Sequence, residues 1–245
     1  MGLASVSWLS AVVRRSVSRT REVPIRDCVH YCAFRYGRDE LHPYEHYERG
    51  LAAGLPRDEL RAAFVDFLRH YRPRTLGDAL GLRLARDYPL WHLPWTLGWR
   101  RTAWVAQPTD VVDVMTHFSE RGIPSQVVER EYALHERAFE RISREGYRPG
   151  LLRHARVVEL QGASRSAYLV TDGNHRIGAL SALGARTVTV SSVLGGRVVR
   201  ARADRWPLVR LGRMTLADAL AVFDAYHEGN RAPPRSEFPA EVVTR

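Results

Sequence analysis

Residues 169–190 read LVTDGNHRIGALSALGARTVTV. An apolar, β-prone run, Ala167 to Thr171, stops at Asp172 and reads as a strand. Ile177, Leu180 and Leu183 then recur at i, i+3 and i+6, one face of a helix. Gly184 stands where a helix C′ residue belongs, since glycine takes a left-handed backbone without steric cost. Thr187, Val188, Thr189, Val190 and Val193 form the next β-branched stretch. The unit is strand, tight turn, helix, strand, with Asp172-Gly173-Asn174 as the turn and His175 and Arg176 opening the helix.

That placement has a chemical consequence. The first turn of a helix leaves backbone N–H groups without partners, and the helix dipole makes that end positive. A glycine lets a ligand approach the backbone, an arginine adds a bidentate charge, and a histidine adds a further donor. Together they make an anion site, most naturally for phosphate. The plainer alternative is a helix capped by Asp172 or Asn174, with His175 and Arg176 solvated.

The DGNHR loop between a strand and a helix resembles the signature loop of the ParB/sulfiredoxin superfamily. The preceding ALHERAFERISREGYRPGLLRHARVVEL, Ala133 to Leu160, resembles the helix, glycine turn and strand that lead into that loop in the family. The resemblance covers about Val105 to Val193. It implies an α+β fold, a small mixed sheet with helices, here preceded by a mainly helical N-terminal region. It implies nucleotide phosphates held by Gly173, Asn174, His175 and Arg176, with Asp172 beside a metal or a substrate hydroxyl. Sulfiredoxins need a cysteine just before the His-Arg pair, and Asn174 stands there, which argues against sulfinic-acid repair. The Glu-Arg-Arg loop and the helix-turn-helix domain of the ParB clamps have no counterpart. The pattern is nearest the kinase-like and Asp-Gly-Gln-His-Arg branches. The implied activity is a Mg²⁺-dependent phosphotransferase that uses ATP, ADP or CTP on a small hydroxyl-bearing acceptor, with Asp172 and His175 as its catalytic residues. The alternative is a DNA-binding or nucleotide-gated regulatory protein.

Composition bounds these readings. The chain has 245 residues, one large domain or two small ones, and a net charge of +10. All 37 basic residues are arginine. A positive molecule attracts anions such as nucleotides, nucleic acid or acidic membrane. Without lysine, neither a Walker-type phosphate loop nor a pyridoxal Schiff base is available. Two cysteines, Cys28 and Cys32, make no disulfide framework, which suits a reducing, cytoplasmic location; both are expected to be buried and unreactive.

The remaining segments divide as follows. Residues 1–22 form a basic, amphipathic leader in which Leu3, Val6, Trp8, Leu9, Val12 and Val13 make an apolar stripe too short to span a bilayer. Residues 1–21 are thus a candidate for peripheral contact with the inner membrane face, beside a flexible or core-packed role. Residues 23–100 are read as mainly helical with a tryptophan-rich connector. There PRDELRAAFVDFLRHY places Leu60, Phe64, Phe67 and Leu68 on one face. TLGDAL (75–80) and TLADAL (215–220) share a helix-start pattern, threonine followed by aspartate three positions on. HPYEH (42–46) fits an inverted zincin pattern, but Pro43 makes His42 a cap rather than a helical ligand, so the segment is expected to start a surface helix with its tyrosines inward. Trp91, Trp95, Trp99 and Trp104 are read as a hydrophobic plug in preference to a base-stacking surface. Residues 101–205 carry the ParB/sulfiredoxin-like domain, and 206–245 a helix ending near Gly229 and a loose tail.

Overall fold

The computed structural model describes residues 19–37, 42–70, 73–90, 92–96, 125–149 and 154–229. Its centre is a five-stranded mixed sheet in the order β1-β5-β3-β4-β2. The strands are β1 (Arg19–Pro24), β2 (Cys28–Val29), β3 (Ala155–Gln161), β4 (Ser166–Asp172) and β5 (Thr187–Val199). β3 pairs antiparallel with β4 and parallel with β5, while β1 pairs antiparallel with β5 and β2 parallel with β4. The helices are α1 (Pro43–Ala52), α2 (Arg57–His70), α3 (Leu76–Leu80), α4 (Ser125–Glu145), α5 (Asn174–Ala182), α6 (Pro207–Arg210) and α7 (Leu216–Glu228). The mixed sheet and its helices agree with the expected α+β class.

Alternation along the strands builds two apolar layers. On one face Ala155, Val157, Val170 and Val188 pack with Ile177 and Leu180 of α5 and Ile142 of α4. On the other Leu160, Ala167, Leu169 and Val198 pack with Val222, Phe223 and Tyr226 of α7. β5 serves both faces because its register slips. Val157 pairs with Ser192 and Glu159 with Arg197, five residues of advance on β5 against two on β3. The surplus of three is odd, so the side chains beyond it change face. A third cluster, with Phe64, Phe67, Tyr47 and Tyr132, joins α1, α2 and α4.

Three expectations are corrected. The boundary expected between residues 22 and 23 falls inside β1, which is an edge strand of the sheet. The region read as mainly helical also contributes β2, and its Val29, Leu76 and Leu80 share a core with α7. Arg35, fully buried, fastens this region to the end of α7 by donating to the carbonyls of Tyr226 and His227; cations suit a helix C-terminus. And α1 does not start at the surface: His42, Pro43, Tyr44, Glu45, His46, Tyr47 and Glu48 are all buried. His42 does cap it, its Nδ1 accepting from the Tyr44 N–H with Pro43 at the first helical position.

Other expectations hold. α2 buries Leu60, Phe64 and Phe67. Thr75 and Asp78 form a complete capping box, whereas Thr215 caps α7 alone and Asp218 turns to Ala85 N–H and Tyr88 Oη–H. Gly229 follows α7. Trp95 packs edge-on against Trp206, Phe223 and Tyr226 as part of a plug; Trp91, Trp99 and Trp104 lie outside the described residues, as do residues 1–18 and 230–245. Cys28 and Cys32 are buried thiols outside any disulfide, and burial, reinforced by Asp27, pushes the Cys28 thiol up. Among the described residues no helix is long and apolar enough to cross a membrane.

Candidate functional site

β4 ends at Asp172, and α5 begins two residues later at Asn174. Gly173 caps the helix with φ +93° and brings no side chain to its first-turn amides. A Cβ there would lie 2.8 Å from Arg176 Nη2 and 3.0 Å from Ala155 Cβ. Conformation and crowding both select glycine. Among the described residues no capping side chain meets this first turn, the local chemistry of an anion site.

The three polar side chains that follow are each held from behind. Tyr36, fully buried, donates its hydroxyl to Asn174 Oδ1 at 2.8 Å. Burial and then the nearby Glu48 push the Tyr36 phenol up, so it stays a donor. His175 Nε2 meets Glu131 Oε2 of α4 at 3.2 Å. Arg176 Nη2 reaches Asp172 Oδ2 at 3.5 Å, one helical turn back. Asp172 is the most open of the set, its side chain 56% exposed against 26% for Arg176 and 23% for His175. All five expected residues, Asp172, Gly173, Asn174, His175 and Arg176, therefore occupy one β4–α5 corner.

Behind the corner lies a buried polar cluster from α1 and α4. The Tyr44 ring lies nearly parallel to His175, centroids 5.5 Å apart and 9° between planes. His135 stands edge-on at 4.3 Å. His135 Nδ1 pairs with Glu48 Oε1 at 2.9 Å, and both side chains are wholly buried. Burial, then Glu45, pushes the Glu48 carboxyl up, while burial, then His175 and His42, pushes the His135 imidazole down. Glu45 fastens α1 to α5 by accepting from Ser181 Oγ at 2.8 Å, and to the loop by accepting from Gly37 N–H at 2.8 Å.

Of the carboxylates on α4, Glu131 faces the loop. Glu136 turns away to Arg57 and Arg61, with Tyr47 donating to it. One signal was available: Val128, Tyr132, His135, Phe139 and Ile142 form a helical stripe, so His135 falls on an apolar face. Among the described residues no group of three or more His, Cys, Asp or Glu side chains is placed to hold a metal ion. No family model matches the chain, and neither a curated protein nor a solved structure does.

Proposed function

We propose that the β4–α5 corner binds the phosphates of a nucleotide and that the protein is a Mg²⁺-dependent phosphotransferase acting on a small hydroxyl-bearing acceptor. One observation carries the reading. The glycine-capped first turn of α5 presents Asn174, His175 and Arg176 together, each anchored by a separate partner, Tyr36, Glu131 and Asp172. Anchoring lowers the ordering cost of binding, and preorganised donors are what a transferring phosphoryl group requires. Gly173 and the first-turn amides would approach the phosphate oxygens, Arg176 would carry the compensating charge, and His175 would meet charge developing on the transferred group. Asp172, exposed at the rim, is the carboxylate placed to meet the acceptor hydroxyl. A nucleotide that carries Mg²⁺ supplies the ion's charge neutralisation, while the chain supplies orientation.

Thermal unfolding with ATP, ADP and CTP, each with and without Mg²⁺, tests this. At one hundred times Kd a ligand adds about 2.7 kcal/mol, a rise of roughly 5–10 °C for a chain this size. The Arg176→Ala variant should lose the rise. A rise that survives Arg176→Ala unchanged places the nucleotide elsewhere. The net charge of +10 favours one other reading, a nucleotide-gated or DNA-binding regulator. It predicts no nucleotide shift and instead a DNA affinity that falls steeply with salt.

A further inference from the structure

The turn between α6 and α7 sets buried and exposed side chains side by side. Leu208 and Met214 are buried and share a core with Val222 and Phe223 of α7. Between these two anchors the backbone closes on itself. Leu211 N–H donates to the Pro207 carbonyl at 3.1 Å, and Arg213 N–H donates to the Leu208 carbonyl at 2.9 Å. Gly212 takes φ +64°, with open space where a Cβ would stand. Arg210, Leu211 and Arg213 are left on the outside. Leu211 is 55% exposed, and Leu216, the first residue of α7, is 44% exposed. A single exposed leucine is ordinary. Here two stand five positions apart, with two arginines beside the first.

The loop after α3 adds further charge to the same end of the molecule. Ala85 N–H donates to Asp218 Oδ1 at 3.0 Å and Tyr88 Oη–H to Asp218 Oδ2 at 2.7 Å, only two residues beyond Leu216. Those bonds hold the exposed Arg83 and Arg86 beside the start of α7. The carboxylates nearest in sequence are Asp87 and Asp218, and Asp218 is buried against Tyr88. Four arginines against two carboxylates leave the surface positive. We propose that the 210–216 turn and the 83–88 loop form a peripheral docking surface for an anionic lipid membrane. The arginines meet the headgroup phosphates, and Leu211 and Leu216 enter the boundary between headgroups and acyl chains. A nucleic-acid backbone would also take the arginines, yet it gives two projecting leucines no apolar layer to enter. No described helix can cross a membrane, so the contact is with one surface. α5 packs on the other face of the sheet from α7, so the inference is independent of what the β4–α5 corner binds.

The test is co-flotation of the full chain with vesicles of phosphatidylcholine alone and with about 30% phosphatidylglycerol added. The chain should float with the anionic vesicles only, and less so as salt rises from about 0.05 M to about 0.5 M. Arg210→Gln with Arg213→Gln should weaken binding roughly 25-fold, about fivefold per arginine. Leu211→Ser with Leu216→Ser leaves the charge unchanged and should weaken it roughly tenfold. All four substitutions replace exposed side chains, so the variants should keep the parent's unfolding temperature, which is checked in the same samples. No binding to anionic vesicles overturns the proposal. Binding that both double variants retain in full places any lipid contact elsewhere and overturns it too. Duplex DNA bound in preference to the vesicles, weakened by the arginine changes and untouched by the leucine changes, assigns the surface to nucleic acid and overturns the lipid reading.

Discussion

Acidification from pH 7.5 to 4.5 is expected to unfold the protein cooperatively. The cause is the buried histidine cluster around α1. Burial, then His175, lowers His30 to about 3; burial, then Arg49, lowers His46 to about 4. Burial, then His30, holds His42 well below its ordinary value, and burial, then His175 and His42, does the same for His135. In the unfolded chain all four titrate near 6.5. A group whose folded value is depressed contributes stability that is complete above its unfolded value and is lost as pH falls toward the folded one. Glu48 works the other way: its folded value is raised, so its contribution is present below 4.5 and is lost as pH rises. Between pH 6.5 and 4.5 four histidines therefore oppose one glutamate, a difference of three protons taken up on unfolding. At about 1.4 kcal/mol per proton per pH unit, the slope approaches about 4 kcal/mol per unit once the unfolded histidines are charged. Two such units remove about 8 kcal/mol, enough to unfold a domain in the lower half of the usual 5–15 kcal/mol range. Circular dichroism and tryptophan fluorescence should give a midpoint between about pH 4 and 5.5. His46→Gln should lower the slope by roughly a third. A chain still native at pH 4 would mean that these imidazoles reach solvent and charge without unfolding.

The corner itself was legible in the sequence because its signals are local. A β-prone run, a glycine turn and a 3.6-residue periodicity lie within twenty-two residues, 169–190, and the structure places strand, cap and helix there. Gly184, read as a C′ residue, has φ +81°. What was not legible depends on distant partners. β1 carries alternating arginines and a single buried valine, Val23, and reads as a strand only once β5 stands beside it, more than 160 residues on. Glu129, Glu131 and Glu136 look alike along a helix. Only the packing of α4 on α5 shows that Glu131 meets His175, 44 residues away. The HPYEH segment misled in a third way. Polar residues ordinarily mark a surface, but here His42, Glu45, His46 and Glu48 are buried, and the contacts of His42 with Tyr36, Glu45 with Arg49 and Glu48 with His135 are invisible to periodicity.

Gly178→Ala is expected to destabilise the protein by about 3 kcal/mol, although alanine is the better helix former by about 1 kcal/mol. Gly178 lies in the middle of α5, and Glu48 of α1 packs its carboxyl directly onto the bare Cα. A methyl group there overlaps Glu48 Oε2, and Glu48 has no retreat, since its other oxygen holds His135 and both side chains are fully buried. Either the carboxyl moves and leaves His135 unpartnered, or α5 moves and carries His175 away from Glu131. Leaving a buried polar group without its partner costs about 1–3 kcal/mol and overpacking adds about 1–3 kcal/mol, which together outweigh the propensity gain. At roughly 2–4 °C per kcal/mol the melting temperature should fall by about 6–12 °C. The decisive measurement is the double-mutant cycle. Glu48→Ala alone is costly, because it opens a cavity and orphans His135 Nδ1, yet it removes the group that Gly178 makes room for. In that background Gly178→Ala should become neutral or stabilising, a reversal of sign equal to a coupling of about 3 kcal/mol. Equal costs in both backgrounds would mean that the glycine serves something other than the Glu48 carboxyl. A reversal would establish that the α1–α5 crossing is closed by a polar group pressed against a helix backbone. The consequence for the site is direct: Gly178 follows His175 by one turn, so the contact that sets the distance between α1 and α5 also sets the distance of the β4–α5 loop from Tyr44 and Glu131.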